Sequence, residues 1–279
     1  MAATDVHLHD PQTLYRHWED QQWNPFRIDL GPDAEQWKAM NAGDRELVLW
    51  ALSSLMVAEE RITTKFSGLV GAYGTEEEAT FLATQQVDEA RHMQFYARYQ
   101  DEVVADPAAI AEHVARARRL LSPTVETIFD EVLVQAHERL TAEPASAEAK
   151  VEFVTVYHMV IEGTLGLTAF NFITRYLERS EQLPGFVEGY SKIHHDEQRH
   201  IGYGTWFLRE AVRGDPGLAD TIRGTLRSLL PAVAEALAPP DTDGTDWDAL
   251  GASSDEIREF AISGLSRRLK IVGVPLESL

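Results

Sequence analysis

The chain has 279 residues, with 25 Lys and Arg against 45 Asp and Glu, a formal charge of −20. That balance argues against nucleic acid and against an anionic membrane surface as the main partner. The 44% of hydrophobic residues is enough for a sizeable core. Cys is absent, which excludes disulfides, thiolate metal sites, iron–sulfur clusters and cysteine nucleophiles.

The stretch from Met1 to Pro11 lacks the basic and apolar regions of a signal peptide. No apolar run reads as long enough to span a bilayer. The expectation is a cytoplasmic protein with no stable membrane insertion. Residues 1–43 read as an irregular N-terminal segment packing on the domain, with a short helix around Leu14 to Asp20. From Asp44 to about Gly71, Val48, Leu49, Leu52, Leu55, Met56, Ile62, Phe66, Leu69 and Val70 form a stripe at helical spacing. Gly71 and Gly74 end that helix, and Thr75 with Glu78 reads as a capping box opening the next one, to about Val104. A further helical stretch runs from Pro107 to about Leu140, bent near Ser122 and Pro123. Ala147 to Arg179 is apolar nearly all round, the mark of a buried helix. Helices from Pro184 to about Arg213, Pro216 to about Leu237 and Ser253 to about Lys270 complete the chain, with a loop over 238–251. No strand-period segment and no long linker stands out. The expected fold is a single all-α domain over 1–279, a four-helix core with additional helices.

Two pentapeptides carry the chemistry. Residues 88–92 read Asp-Glu-Ala-Arg-His and residues 196–200 read Asp-Glu-Gln-Arg-His. Positions three apart share a helix face, so Glu89 with His92, and Glu197 with His200, can each offer a carboxylate and an imidazole to one ion. Two such units, with one Glu from each of two further helices, make a two-metal site in a helical bundle. Glu162 lies within the most apolar helix, and Glu59 falls mid-stripe in the first long helix, with Glu60 as the neighbouring alternative. Four buried carboxylates without compensation would be costly. Two divalent cations balance them, with His92 and His200 as neutral ligands. Carboxylate-rich sites with His suit iron and manganese. Asp88 and Asp196 are candidate acceptors for the imidazole N–H groups, fixing the tautomer that binds metal. Arg91 and Arg199 read as ion-pair partners. His158, His194 and His195 read as hydrogen-bonded histidines, and His7 and His9 as tail residues.

Three segments resemble those of the ribonucleotide-reductase-small-subunit-like ligand-binding oxidases, within the ferritin-like di-metal carboxylate superfamily. They are Glu59-Glu-Arg-Ile-Thr63, Tyr157-His-Met-Val-Ile-Glu-Gly163 and Asp196-Glu-Gln-Arg-His-Ile-Gly-Tyr-Gly-Thr205. The resemblance spans about residues 12–270. It implies a ferritin-like fold, a Mn/Fe site with Fe/Fe as the alternative, dioxygen as co-substrate, a bound long-chain fatty acid or similar apolar ligand, and a homodimer. It also implies a tyrosine–valine ether crosslink. Tyr157 matches the tyrosine, but Ile62 stands at the valine position. An isoleucine keeps a tertiary Cβ–H, so the chemistry stays open. Tyr157 and Glu162 lie roughly 140° apart on an α-helix, so both point inward only with a π-bulge or if Tyr157 reaches across to a neighbour.

On this reading the chain is a dioxygen-activating oxidase that removes two electrons from a C–H bond. The reaction would take place in a pocket lined by the helices of Ile62 and Phe66 and of Tyr157, Thr164 and Phe170. The alternative is a ribonucleotide reductase small subunit with a tyrosyl radical at Tyr96, four residues after His92. Against it, no acidic Tyr-bearing tail follows the last helix. A small-molecule monooxygenase or N-oxygenase would gain if His158 or His194 bound metal. Iron storage or a structural bundle fits poorly with the apolar surroundings of the site.

Overall fold

The computed structural model describes residues 6–120, 123–237 and 251–279. Helix α1 (Pro11–Asp20) starts on Asp10, whose carboxylate accepts from Thr13 N. A short 3-10 turn follows at Pro25–Arg27, then α2 (Gly31–Ala39), α3 (Ala42–Gly71) and α4 (Glu76–Tyr99), which runs on into a π-helical turn, π1 (Gln100–Val104). Next come α5 (Pro107–Leu120), α6 (Pro123–Glu126), π2 (Thr127–Val132) and α7 (Leu133–Ala142). The third long element is α8 (Ala147–Val154) continued by π3 (Thr155–Gly166) and α9 (Leu167–Arg179). Helices α10 (Pro184–Gly214), α11 (Leu218–Ala236) and α12 (Ser254–Val272) follow, with a last 3-10 turn at Leu276–Ser278. Helices α3, α4, the α8–π3–α9 rod and α10 form the central bundle, and no strand occurs among the described residues. The all-α expectation holds: this is a ferritin-like four-helix core with additional helices. The expected bend at Ser122 and most of the expected loop, residues 238–250, lie outside the described residues.

The N-terminal segment is more ordered than expected. It contains both α1 and α2, and α2 has a structural job. Helix α10 starts at Leu183, a left-handed residue (φ 52°) whose side chain cannot cap. Asp33 of α2 caps it instead, its two carboxylate oxygens accepting from Gly185 N (2.7 Å) and Phe186 N (2.8 Å). Asp33 is fully buried, and Tyr99 donates to it as well. The stretch carries few apolar residues in a helical register, so its order comes from this tertiary contact and not from its own pattern.

The capping box at the start of α4 is half present. Thr75 accepts from Glu78 N, but Glu78 Oε2 accepts from Gly74 N, one residue earlier than the motif requires. The other oxygen of Glu78 accepts from the buried Tyr203 of α10 (3.0 Å), which draws the side chain away. The box at Ser253 and Glu256 is complete.

The helix Ala147–Arg179 departs from the expectation that no segment could span a bilayer: by length and composition it is long and apolar enough. In the fold, 78% of its most apolar window is buried in protein, as befits a core helix. Helix α10 lies close against it at Gly204, where any Cβ would overlap the Cβ of His158.

Candidate metal centre

Glu59 comes from α3, Glu89 and His92 from α4, Glu162 from π3, and Glu197 and His200 from α10. All six are buried, each at 7% exposure or less. Glu60 is exposed, so the helix phase selects Glu59 for the interior. One ligand atom from each of Glu59, Glu89, His92 and Glu197 falls within a 4.8 Å cluster, and so does one from each of Glu89, Glu162, Glu197 and His200. Glu89 and Glu197 belong to both clusters and lie between them. His92 Nδ1 faces Glu89 and Glu197, each at 3.5 Å. His200 Nδ1 faces Glu162 at 3.5 Å and Glu89 at 3.6 Å.

Each of the six residues presents one buried polar atom with no hydrogen-bond partner: Oε2 of Glu59, Glu89, Glu162 and Glu197, and Nδ1 of His92 and His200. Buried polar atoms are almost always paired. Six orphans converging on one chamber fit a site for cations.

The electrostatics agree. Burial, then the Glu89 charge, pushes the Glu59 carboxyl well above its ordinary range; burial, then Glu197, does the same to Glu162. Glu89 goes the other way, because the imidazoles and the Tyr157 hydroxyl outweigh its burial. Burial opposes the charge on His92 and His200, but hydrogen bonds to Asp196 and Asp88 and the nearby carboxylates raise both well above normal. Without metal, these groups compete for protons that two divalent ions would replace.

The far side of each imidazole is held from the opposite pentapeptide. His92 Nε2–H donates to Asp196 Oδ2 (3.1 Å), and His200 Nε2–H to Asp88 Oδ2 (3.2 Å). This leaves each Nδ1 lone pair facing the carboxylates. Burial would raise the Asp196 carboxyl, but His92, Arg199 and Trp23 together hold it below the usual range. Arg199 bonds to both aspartates and Arg91 to Asp88, so both arginines are ion-pair partners.

Several contributors were not singled out from sequence. Trp18 Nε1 donates to Asp88 Oδ1 (2.9 Å) and Trp23 Nε1 to Asp196 Oδ2 (2.7 Å). Gln22 and Gln21 accept from Arg91 and Arg199. The guanidinium of Arg91 lies 5.9 Å from the Trp18 ring centroid and 5.6 Å from that of Trp23. The N-terminal segment, expected to pack on the domain, thereby closes one end of the centre. Gln85 lies one turn before Glu89 on α4. Its amide donates to Glu162 Oε1 (3.1 Å) and accepts from His158 Nε2 (3.2 Å).

His158 is therefore a hydrogen-bonded core residue outside both clusters, held neutral by burial. His194 bonds to Gln198 at the half-exposed face of α10, and neither His194 nor His195 enters a cluster. The exposed His7 and His9 pack edge to face, as do His9 and His17.

Tyr157 is fully buried and donates to Glu89 Oε1 (3.1 Å). It points inward together with Glu162 because the backbone between them is π-helical. In that geometry hydrogen bonds run to the fifth residue, and positions five apart come to one side. Thr164 Oγ1 correspondingly donates to Met159 O, five residues back.

An apolar cavity of about 200 Å³ abuts the centre, with Glu59, Glu162 and Glu197 in its lining. Ile62, Tyr96, Phe129, Ile161, Leu165 and Phe170 form much of its wall. The expected helices line it, but Phe66, Tyr157 and Thr164 do not, while Tyr96 and Phe129 enter from α4 and π2. Tyr96 is buried there, and desolvation raises its phenol far above normal.

Among solved structures, a valine-to-isoleucine mutant of an R2-like ligand-binding oxidase with an anaerobically reconstituted Mn/Fe cofactor is similar to this chain. It has a TM-score of 0.82 at 24% identity, over 98% of this chain and 96% of that one. A tyrosine-to-phenylalanine mutant with an aerobically reconstituted Mn/Fe cofactor gives 0.80 at 24% identity, over 97% and 95% of the two chains. A glycine-to-leucine mutant with a non-activated Mn/Mn cofactor gives the same values. These likenesses establish a shared fold. The sequence itself matches the family described as ribonucleotide reductase, small chain, over residues 4–235. With that match covering most of its length, the chain belongs to the ribonucleotide reductase small-chain family and is a di-metal oxidoreductase.

Proposed function

We propose that the protein is a dioxygen-activating oxidase of the ligand-binding type, carrying Mn/Fe, or Fe/Fe, on Glu59, Glu89, His92, Glu162, Glu197 and His200. The observation that carries this reading is the convergence of six orphaned buried donor atoms, in two sets that share Glu89 and Glu197. The resemblance to oxidases reconstituted with Mn/Fe supports the choice of metals. Bound, the two ions would supply the reduction of dioxygen and the two-electron oxidation of a C–H bond.

The protein's own residues do the rest. Asp88 and Asp196 keep the Nε2 protons on the imidazoles, so that Nδ1 is free for metal. Gln85 fixes one oxygen of Glu162 and leaves the other open. Tyr157 places a phenol against Glu89, and Ile62 places a tertiary C–H in the cavity wall. These two side chains are the candidates for an ether crosslink. The apolar lining of the cavity suits an apolar chain such as that of a fatty acid. On the same reading the working form is a cytoplasmic homodimer.

Expression with iron and manganese followed by elemental analysis tests the central claim. About two transition-metal ions per chain are expected; fewer than one would sink it.

One observation favours a second reading, a reductase small subunit. Tyr96 is buried in the cavity wall beside Glu59 and Glu197, where a tyrosyl radical would sit next to the metals. A radical signal that vanishes in Tyr96→Phe, together with binding of a large subunit, would favour that role over the oxidase.

A further inference from the structure

Arg268 is a cation that the centre described above does not use. It stands on α12, half-buried, and no carboxylate pairs with it among the described residues. Its Nε is buried without a partner. Burial, then the Arg267 charge, pulls its pKa down to about 10. In a chain of net charge −20, a buried guanidinium without a counter-ion is costly to keep. Its hydrogen bond goes instead to the backbone: Nη2 donates to Gly163 O, in π3, directly after Glu162.

The contact is shaped on both sides. A Cβ on Gly163 would lie 3.1 Å from Arg268 Nε and 3.2 Å from its Cζ. The guanidinium therefore rests on a bare Cα, and a side chain there would push it away. The same Cβ would come within 2.6 Å of the His158 carbonyl oxygen, five residues back. His158 is itself wedged against Gly204 of α10.

The segment under this contact needs support. An α-helix bonds to the fourth residue back and a π-helix to the fifth, and π geometry is rare beyond single turns. Here it runs for 12 residues. Leu167 N–H reaches Glu162 O, five back, and the Thr164 hydroxyl takes Met159 O, also five back. These holds lie within the rod. Arg268 grips it from another helix, one residue beyond Glu162.

We propose that Arg268 is a positioning residue for the metal centre: seated on Gly163 and bonded to its carbonyl, it holds π3 in the register that brings Glu162 and Tyr157 to one side. The inference rests on the reading of Glu162 as a metal ligand. It adds a residue outside the ligand set, on a helix that contributes no ligand.

Arg268→Met removes the donors and the charge, and Arg268→Lys keeps a cationic donor on a flexible stem. Hydrogen exchange is followed by mass spectrometry on the metal-free full chain, and manganese(II) alone is then titrated anaerobically with electron paramagnetic resonance detection. In Arg268→Met, amides of residues 155–168 should exchange roughly tenfold to a hundredfold faster, the factor for a charge-assisted hydrogen bond, while α3 and α4 keep their rates. One of the two manganese ions should bind roughly tenfold more weakly, with an altered spectrum, and the other should be unaffected. Arg268→Lys should recover part of both losses. Unchanged exchange over 155–168 in Arg268→Met overturns the proposal while the wild type still binds its ions. So does equal acceleration of every helix, or a Lys variant no better than Met, since Arg268 would then merely dock α12. A wild type that takes up no manganese fails the metal reading itself, and the proposal with it.

Discussion

Asp196 holds His92 from another helix, Oδ2 accepting from Nε2 at 3.1 Å, while Asp88 holds His200 in the same way at 3.2 Å. Each pentapeptide thus orients the imidazole of the other. Removing one aspartate should damage the ion bound by the opposite histidine first. Asp196→Ala is expected to weaken metal binding at the Glu59–His92 side by roughly ten- to a hundredfold, with Asp88→Ala acting on the His200 side. Metal-competition titrations of the two variants check this; equal loss at both positions in both variants would contradict it.

Stability without metal should depend on pH in a definite direction. Glu59 and Glu162 are raised in the fold by burial and neighbouring carboxylates, and His92 and His200 by their carboxylate partners. A group whose folded pKa is raised contributes stability that is present below its unfolded value and lost as pH climbs through the folded one. All four act in the same direction, so the metal-free protein should lose thermal stability as pH rises, the carboxyls contributing from about 4.5 upward and the imidazoles from about 6.5. The metal-loaded protein should not follow, because ions replace those protons. Melting curves of both forms between pH 6 and 9 provide the comparison, and a metal-free form that gains stability with pH would refute the assignment.

The covalent outcome at Tyr157 is open to a direct reading. After aerobic reconstitution, digestion and mass spectrometry should find the Tyr157 and Ile62 peptides joined, with the mass of two hydrogens lost. Tyr157→Phe should abolish the joined species while preserving metal content. Two linear peptides in the wild type would leave the oxidase class without its crosslink.

The buried cap of α10 should show in the stability of the whole domain. Asp33→Ala leaves Gly185 N and Phe186 N without their acceptor inside the protein. A cost of about 1–3 kcal/mol is expected in chemical denaturation, the range for orphaned buried donors. A change within a few tenths of a kcal/mol would mean that water reaches the cap.

The central helices were legible because burial left a periodic record. Val48 to Leu69 and Phe81 to Tyr99 repeat at helical spacing, and the carboxylates that interrupt those stripes are the ones that meet in the centre. Segments whose order comes from contacts distant in sequence left no such record. Helix α2 is fixed by Asp33 reaching α10, and Trp18 and Trp23 reach aspartates on two other helices. Gln85 looked like any buried-face polar residue, since its partners His158 and Glu162 lie on another helix. Residues 147–179 have the length and composition of a membrane span for a related reason. A helix buried on every side by protein has the composition of one buried by lipid.

The π-helical stretch between Tyr157 and Glu162 makes the count of residues there part of the chemistry. A single deletion between them, tightening the turn to an α-helix, would rotate everything on its N-terminal side by roughly 100° relative to Glu162. The sequence would still contain every ligand, the tyrosine and the isoleucine. The phenol would no longer face Glu89. Among relatives, the spacing of these two residues is therefore a sharper marker of shared chemistry than the presence of either one.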